Sequence, residues 1–428
     1  MKISPARTAA FDILLRIETA RAFSSGLLAS VETDLNDRDR SLCHNIVLGV
    51  LRRQIYLDTL IRGYTDSRKL DPDVVVSLRI GLFQLLFLDR VPAHSAVDES
   101  VRLIERAKKR SATGLVNAVL RRAIRQPYLP EFDDEMEMLS FDTSHPRWLV
   151  ERWIAQYGRE KGELIAKANN HIPKLSFRET AKNSEVFRSP NIRPSELVEG
   201  AFVADTASAD LMKAAAEGEI YFQDEASQMV ANSFRLKAGE AFLDLCAAPG
   251  GKVTLVAARH RSQPLLLVAA EKKSDRRSQL ASICRAQGAA DIIVLGLDAT
   301  VDLPLEHASF DVVLVDSPCS GTGTIRHNPE IRYFLQPSDI DDLSRKQRKI
   351  LWNASKMVRT GGILIYSTCS LEREENEAVV EDFLDAVTGF ERVRPNVPER
   401  FLRADLSART FPHRDDMDGF YIAHFRRR

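Results

Sequence analysis

Cysteine is scarce in this chain: five residues in 428, at positions 43, 246, 284, 319 and 369, odd in number and without a CxxC pair. That excludes a disulfide-stapled scaffold and argues against a zinc cluster, so no metal is expected and the thiols read as reduced, either buried or reactive. Long hydrophobic runs are missing too. The longest are stretches such as Leu265–Ala270, far short of the roughly 20 residues a membrane-spanning helix needs. The opening MKISPARTAAFDILLRIE interrupts its apolar stretch with Asp12 and Arg16 and lacks a signal-peptide core. A cytoplasmic protein with no membrane partner is expected. Internal repeats and low-complexity tracts are absent as well, and 44% hydrophobic with 28% charged residues is ordinary for a soluble protein. At roughly 150 residues per domain, the length suggests about three domains.

Excess charge of either sign is absent overall, 60 Lys and Arg against 60 Asp and Glu, but the distribution is uneven. Residues 1–130 hold 21 basic and 14 acidic residues, a net of +7, and the next ten, EFDDEMEMLS, hold −5. The change of sign predicts a boundary. Most of the basic excess is Arg102, Arg106, Lys108, Lys109, Arg110, Arg121, Arg122 and Arg125, facing one acid, Glu105. Such a run is either a solvated helical face or a phosphate-binding surface that gains affinity by releasing counterions from a polyanion.

Residues 1 to about 130 read as helix throughout, a compact bundle. Val97, Val101, Ile104 and Ala107 recur at helical spacing, with a predicted N-cap at Ser95–Asp98; Leu42–Leu51 and Leu78–Leu88 are apolar without strand-like alternation, and Asp34–Asp39 and Thr65–Asp73 read as loops. From 144 to 218 the pattern is mixed, with a helix at Pro146–Tyr157 and strand-like pieces at Leu175–Arg178 and Leu197–Val203, which predicts a small α+β module. From 219 to 428, apolar β-type runs at Ala241–Cys246, Leu265–Ala270, Ile292–Leu295, Phe310–Val315 and Ile363–Tyr366 alternate with helical stretches. That alternation predicts a doubly wound α/β domain with a parallel sheet covered on both faces. The expected domains are therefore 1–135, 144–218 and 219–428.

Ligands of such sheets bind beyond the carboxyl ends of the strands. The first run leads into FLDLCAAPGGK, where Gly250 and Gly251 let backbone approach a ligand and a helix N-terminus follows. It is not a Walker loop, because Val253 rather than a hydroxyl residue follows Lys252, and it is not GxGxxG. A nucleotide-type ligand without a pyrophosphate fits better, and S-adenosylmethionine is the common one. Glu271, ending the second strand, is placed to accept from a ribose diol, and Asp298, after the third, from an adenine amino group. Each acid alone is more often a solvated loop residue; three such features in register are harder to dismiss.

The fourth strand runs into VDSPCSGTG and the fifth into IYSTCSLEREENE, each with a cysteine one step beyond an apolar run. A single thiol there is usually a small core hydrophobe. Two thiols beside a methyl donor suit methylation of a pyrimidine at C5: a thiolate adding to C6 makes C5 nucleophilic, and the C5 proton and the thiolate must then leave. Asp316 is placed to hold the cytosine N4/N3 edge. The base has to be unstacked, which favours a single-stranded or bulged site.

These motifs resemble those of the bacterial Sun/Fmu (RsmB-like) branch of the Nop-Sun RNA cytosine-5 methyltransferases. FLDLCAAPGGK, DSPCSGTGTIRHNPEIR, YSTCSLEREENE and PHRDDMDGFYIA match in order, with YFQDEASQMVA at the entry to the last domain, and the resemblance covers nearly the whole chain. It implies that Cys369 is the nucleophile and Cys319 assists product release. It also implies cofactor contacts from Cys246, Ala247, Ala248, Pro249, Gly250, Gly251, Lys252, Glu271, Asp298 and Asp316. LGVLRRQIYLDTL, VPAHSAVDESVRLIERAKK and GLVNAVLRRAIR resemble a NusB-like helical RNA-binding domain, which turns the basic run at 101–125 into an expected RNA contact; the middle module is expected to be RRM-like. Three positions depart from the family pattern: Glu271 where Asp is usual, Ser317 for Ala, and Arg178-Glu179-Thr180 where relatives tend to read Arg-x-Asn. The implied activity is methylation of a cytidine in 16S ribosomal RNA by a monomer. The alternatives are the same reaction on transfer RNA, and a non-catalytic RNA-binding assembly factor, against which two intact motif cysteines argue.

Overall fold

The structure, a computed structural model, describes residues 3–31, 34–182, 184–189 and 191–428. The chain divides into two compact units, Met1–His171 with Ile325–Leu335, and Ile172–Thr324 with Gln336–Arg428.

The described part of the first unit is helical. Pro5–Ala20, Asp37–Arg52, Gln54–Tyr64, Pro72–Phe87, Ala93–Arg106 and Thr113–Arg125 enclose one core that includes Phe11, Ile46, Val50, Leu57, Leu103 and Leu120. Pro72–Phe87 is the inner helix, with every residue from Val76 to Gln84 buried, and its sequence is accordingly apolar nearly all round. Thr113–Arg125 lies outside it and buries only Val116, Val119, Leu120 and Ala123, the stripe of an amphipathic helix. Two local expectations are corrected. The cap predicted at Ser95–Asp98 lies inside a helix that starts at Ala93 behind Pro92, whose ring fixes φ without a hydroxyl cap. The loop expected at Asp34–Asp39 ends early, because the Asn36 side chain accepts the Asp39 N–H at 2.9 Å and starts the helix at Asp37. The acidic run after residue 130 is itself a helix start: Asp134 accepts from the Glu137 N–H and caps Glu135–Thr143, with Glu135 and Glu137 in the first turn, where negative charge suits the helix dipole.

Ile325–Leu335 belongs to this helical unit, so the chain leaves the second unit six residues after Cys319 and rejoins it at Gln336. Within the first unit Arg332 is fully buried and donates to the carbonyls of Thr143, Ser144 and Asn169. Glu330 accepts from the Ser24 N–H and hydroxyl.

The second unit holds two sheets. Strands β1 (Leu175–Glu179), β2 (Ile192–Pro194), β3 (Ala201–Ala204) and β4 (Ile220–Phe222) form an antiparallel sheet in the order β2-β3-β1-β4, packed with Leu211 and Ala214 of helix Ala209–Ala216 around Phe177. The larger sheet contains β5 (Ala241–Asp244), β6 (Leu266–Ala270), β7 (Ile293–Leu295), β8 (Phe310–Asp316), β9 (Val358–Thr368), β10 (Phe390–Val393), β11 (Ala408–Arg409) and β12 (Tyr421–Arg427). Its order is β10-β12-β9-β8-β5-β6-β7, with β11 paired to β12. Along β5, β8 and β9 alternate side chains enter opposite cores: Phe242, Leu314 and Ile365 one, Leu243, Val313, Leu364 and Tyr366 the other. Helices on both faces complete a doubly wound, Rossmann-like domain. The parallel reading holds from β7 to β9 and fails at the edge, where β12 and β10 run antiparallel. The strand order reverses at β5, between β6 and β8, and this opens a crevice at their carboxyl ends.

Candidate active site

The loop after β5 is shaped by close approach. Gly250 has φ of +123°, and a Cβ there would meet Leu280 Cδ1 at 2.9 Å, while one on Gly251 would meet Tyr221 Cε1 at 3.0 Å. Gly251 opens helix Gly251–Arg259, whose first N–H groups face the loop. A cavity of about 220 Å³ lies here, lined by Tyr221, Gln223, Cys246, Ala247, Ala248, Pro249, Gly251, Lys252, Asp316 and Phe420 among others. Asp244, at the end of β5, is 0% exposed, and its Oδ2 has no hydrogen-bond partner among the described residues. Burial, and then the nearby Asp316 charge, push its carboxyl up to about 7 against the pull of Lys252.

Lys252 Nζ lies 2.6 Å from Asp316 Oδ2 and 5.2 Å above the Phe420 ring. Burial alone would lower its pKa, but Asp316, by charge and hydrogen bond, and then Cys369 and Asp244 outweigh that, and the ammonium is held above its usual range. Asp316 Oδ1 accepts from Ser367 Oγ at 2.8 Å. The other two strand-end acids are not part of the cavity wall. Glu271 is buried; its Oε1 accepts from the Lys273 N–H at 2.9 Å and Arg276 lies 3.6 Å from Oε2. Asp298 is held down to about 2 by the hydrogen bond from Lys272 first and then those from Thr300.

The two motif cysteines meet. Cys319 Sγ and Cys369 Sγ are 3.3 Å apart, each just past the end of its strand. Contact with Cys369 first, and burial second, push the Cys319 thiol well above its ordinary range, so it keeps its proton at neutral pH. The other cysteines stand differently. Cys43 and Cys284 are buried, and burial pushes each thiol up to about 11; Cys246 lines the cavity, and burial first and nearby acids next hold it well above its usual range.

Two further residues shape the site without a role expected for them there from the sequence. Arg178, 1% exposed, donates from Nη2 to the Gly251 carbonyl at 2.7 Å and Thr254 Oγ1 at 2.9 Å, and from Nε to Gln223 Oε1 at 2.7 Å. Its guanidinium lies 5.0 Å from the Tyr221 ring, and burial lowers its pKa to about 10. The family-pattern Arg178 is therefore turned inward to brace the glycine loop, and Thr180, also buried, donates to the Gly218 carbonyl. Glu375, buried as well, accepts hydrogen bonds from both cysteine loops. It was hidden in an acidic run, LEREENE, that reads as solvated.

In the helical unit, Arg106, Lys108, Arg110, Arg121, Arg122 and Arg125 are exposed, and Arg102 and Lys109 are half-buried. Arg106 already holds both oxygens of Asp12 at 2.7 Å, and Lys109 holds Asp71 at 2.7 Å. Arg121 donates to Asn117 Oδ1, and Arg122 lies 5.8 Å from the Tyr64 ring.

Comparisons with known proteins are consistent along the chain. Residues 231–426 match the family model described as 16S rRNA methyltransferase RsmB/F, residues 4–125 the NusB family, and residues 145–184 the RsmF/B-like ferredoxin-like domain. The chain is 31% identical to "Probable ribosomal RNA small subunit methyltransferase B" of Bacillus subtilis, over all of both chains. It is also 31% identical to ribosomal RNA small subunit methyltransferase B of Pseudomonas putida, over 97% of each. Among solved structures, that of PH0851 is 25% identical with a TM-score of 0.86, covering 100% of both chains.

Proposed function

This chain belongs to the 16S rRNA methyltransferase RsmB/F family, and on that footing we propose that it methylates C5 of a cytidine in small-subunit ribosomal RNA, acting in the cytoplasm as a monomer. The observation that carries this reading is the pair of thiols 3.3 Å apart on adjacent strand ends, with Lys252 and Asp316 beside them. Methylation of an exocyclic amine has no use for two thiols.

The cavity after β5 fits S-adenosylmethionine. Gly250 and Gly251 let the loop pack tightly where a Cβ would strike Leu280 or Tyr221, Cys246, Ala247, Ala248, Pro249, Gly251 and Lys252 line the cavity, and the orphaned Asp244 oxygen is an acceptor for a cationic donor group. Glu271 and Asp298, one strand and two strands away, are the acids for the ribose and adenine ends. When bound, the cofactor supplies an electrophilic methyl group; everything else comes from the protein and the base.

An unperturbed thiol is only a few per cent ionised at neutral pH. The Lys252 ammonium lies close enough to Cys369 for their charges to interact, and Cys319 keeps its proton. Cys369 adds to C6 of the cytosine as the C5=C6 pair shifts toward N3, which takes a proton from water at the edge that Asp316 holds; C5 of the resulting enamine takes the methyl group and N3 gives that proton back to water. After transfer a water takes the C5 proton, the C5–H electron pair rebuilds the ring double bond, and the Cys369 sulfur departs with the pair of the C6–S bond. Cys319, in contact with that sulfur, assists its departure. The basic face at 102–125 supplies phosphate contacts for the RNA.

The test uses purified enzyme, methyl-labelled S-adenosylmethionine and 16S RNA from a strain lacking the protein. Label recovered as 5-methylcytidine in that RNA supports the reading. Label in transfer RNA, or on the exocyclic nitrogen, overturns it.

A further inference from the structure

Beneath the two thiols lies a carboxylate that the proposed chemistry leaves unused. Glu375 is 0% exposed and sits in the short turn Arg373–Glu375 after β9. Its Oε1 accepts the Ser320 N–H at 2.8 Å and Gln347 Nε2 at 2.9 Å. Its Oε2 accepts the hydroxyls of Ser320 and Ser370, each at 2.5 Å. A carboxylate offers about four lone-pair sites, so these donors saturate it. Ser320 follows Cys319 and Ser370 follows Cys369. Gln347 also donates to the carbonyl of Pro318, the residue before Cys319, at 3.0 Å. A second row of ties runs alongside: the Leu371 N–H donates to Thr322 Oγ1 and the Gly323 N–H to the Cys369 carbonyl, both at 2.9 Å. Gly323 is required there, because a Cβ would lie 2.0 Å from the Gly419 carbonyl oxygen.

Burying a carboxylate costs several kcal/mol before its partners are counted, and an apolar side chain would often fill such a space at least as well. What an apolar residue cannot do is bind both loops at once. We propose that Glu375 is a positioning residue: it clamps the Cys319 loop to the Cys369 loop and so sets the sulfur–sulfur separation at which one thiol acts on an adduct held by the other. The catalytic consequence rests on the cytosine-5 reading; the clamp itself does not.

The experiment therefore reads the thiols as well as the activity. A monosubstituted trivalent arsenical, phenylarsine oxide, condenses with two adjacent thiols, forming two As–S bonds with loss of one water. The intact protein should bind it at Cys319 and Cys369, as shown by their joint protection from alkylation and by loss of binding in Cys319→Ala. Glu375→Ala should weaken arsenical binding about tenfold or more, as expected when two thiols no longer chelate together. It should also lower kcat about 10²-fold, the scale of a 1 Å misplacement, with KM for the cofactor unchanged. Glu375→Gln should recover part of both losses, because its amide oxygen can still accept from Ser320 and Gln347. Ser370→Ala keeps the carboxylate and cuts one arm, so a smaller loss in a folded protein supports the clamp if Glu375→Ala does not fold. Undiminished arsenical affinity in Glu375→Ala or Ser370→Ala overturns it. Weakened affinity in a protein that never forms a cytosine adduct leaves the clamp standing and removes the cytosine-5 reading instead.

Discussion

The carboxyl ends of β5, β8 and β9 and the basic face of the helical unit both carry concentrated charge, and they handle it in opposite ways. At the strand ends charges are buried or half-buried and committed: Lys252 to Asp316, Arg178 to the Gly251 carbonyl, Glu375 to two serines and a glutamine. On the helices most of the cations are exposed, and within the described residues Lys108, Arg110, Arg121, Arg122 and Arg125 have no carboxylate within 4.0 Å. A reacting base needs atoms fixed to a fraction of an ångström, and buried, saturated polar groups provide that. A polyanion needs only positive charge that can move with it.

Substitutions should separate the two regions by size of effect. Replacing Cys369 with Ala should lower methyl transfer by about 10⁴-fold or more, as loss of a covalent nucleophile does, with cofactor affinity intact in equilibrium binding; appreciable turnover would reassign the nucleophile. Lys252→Met should cost about 10²-fold in kcat, on the scale of one lost electrostatic contact in a closed site, with cofactor affinity little changed in equilibrium binding. An unchanged kcat would detach Lys252 from the reaction.

Asp244 gives a pH signature. In the fold its carboxyl ionises near 7 rather than near 4, so unfolding releases a proton between those values. The native state therefore loses stability as pH rises from 4 to 7, by about 4 kcal/mol at the limit. Asp244→Asn should flatten that part of the melting-temperature profile and be relatively more stable at pH 8 than at pH 4.5; the same slope in both proteins would place the ionisation elsewhere.

Effects on the helical face should be smaller and depend on salt. Reversing Arg121 and Arg122 to Glu should weaken RNA binding and reduce the salt slope by about 1 per lost phosphate contact. Neutralising Arg106 and Lys109, which already hold Asp12 and Asp71, should do less. Equal losses from the two pairs in filter binding across a salt series would erase the distinction.

The same contrast decides what the sequence reveals. Gly250 and Gly251 are visible because backbone shape demands glycine, and Cys319 and Cys369 because each follows an apolar strand within three residues. β12 is not legible because its antiparallel return follows β11 and a single helical turn, Pro412–Asp415, in place of a crossover helix. The role of Glu375 is hidden for a different reason: a charge in an acidic run looks solvated until the packing around it is known, and the inward turn of Arg178 at the end of β1 is likewise set by packing rather than by its neighbours in sequence. The cap misplaced at Ser95–Asp98 shows the limit of local rules, since Pro92 had already opened that helix. Segment Ile325–Leu335 lies within a motif of the catalytic domain yet is part of the helical unit, a partition that no sequence pattern announces.

The most direct measurement is mass spectrometry of the Cys319→Ala protein incubated with 16S RNA and S-adenosylmethionine, then digested with nuclease and protease. A methylated cytidine attached through sulfur to the peptide carrying Cys369 is the expected product. Its absence from a protein that still binds RNA and cofactor, or attachment through Cys246, would contradict the two-thiol mechanism.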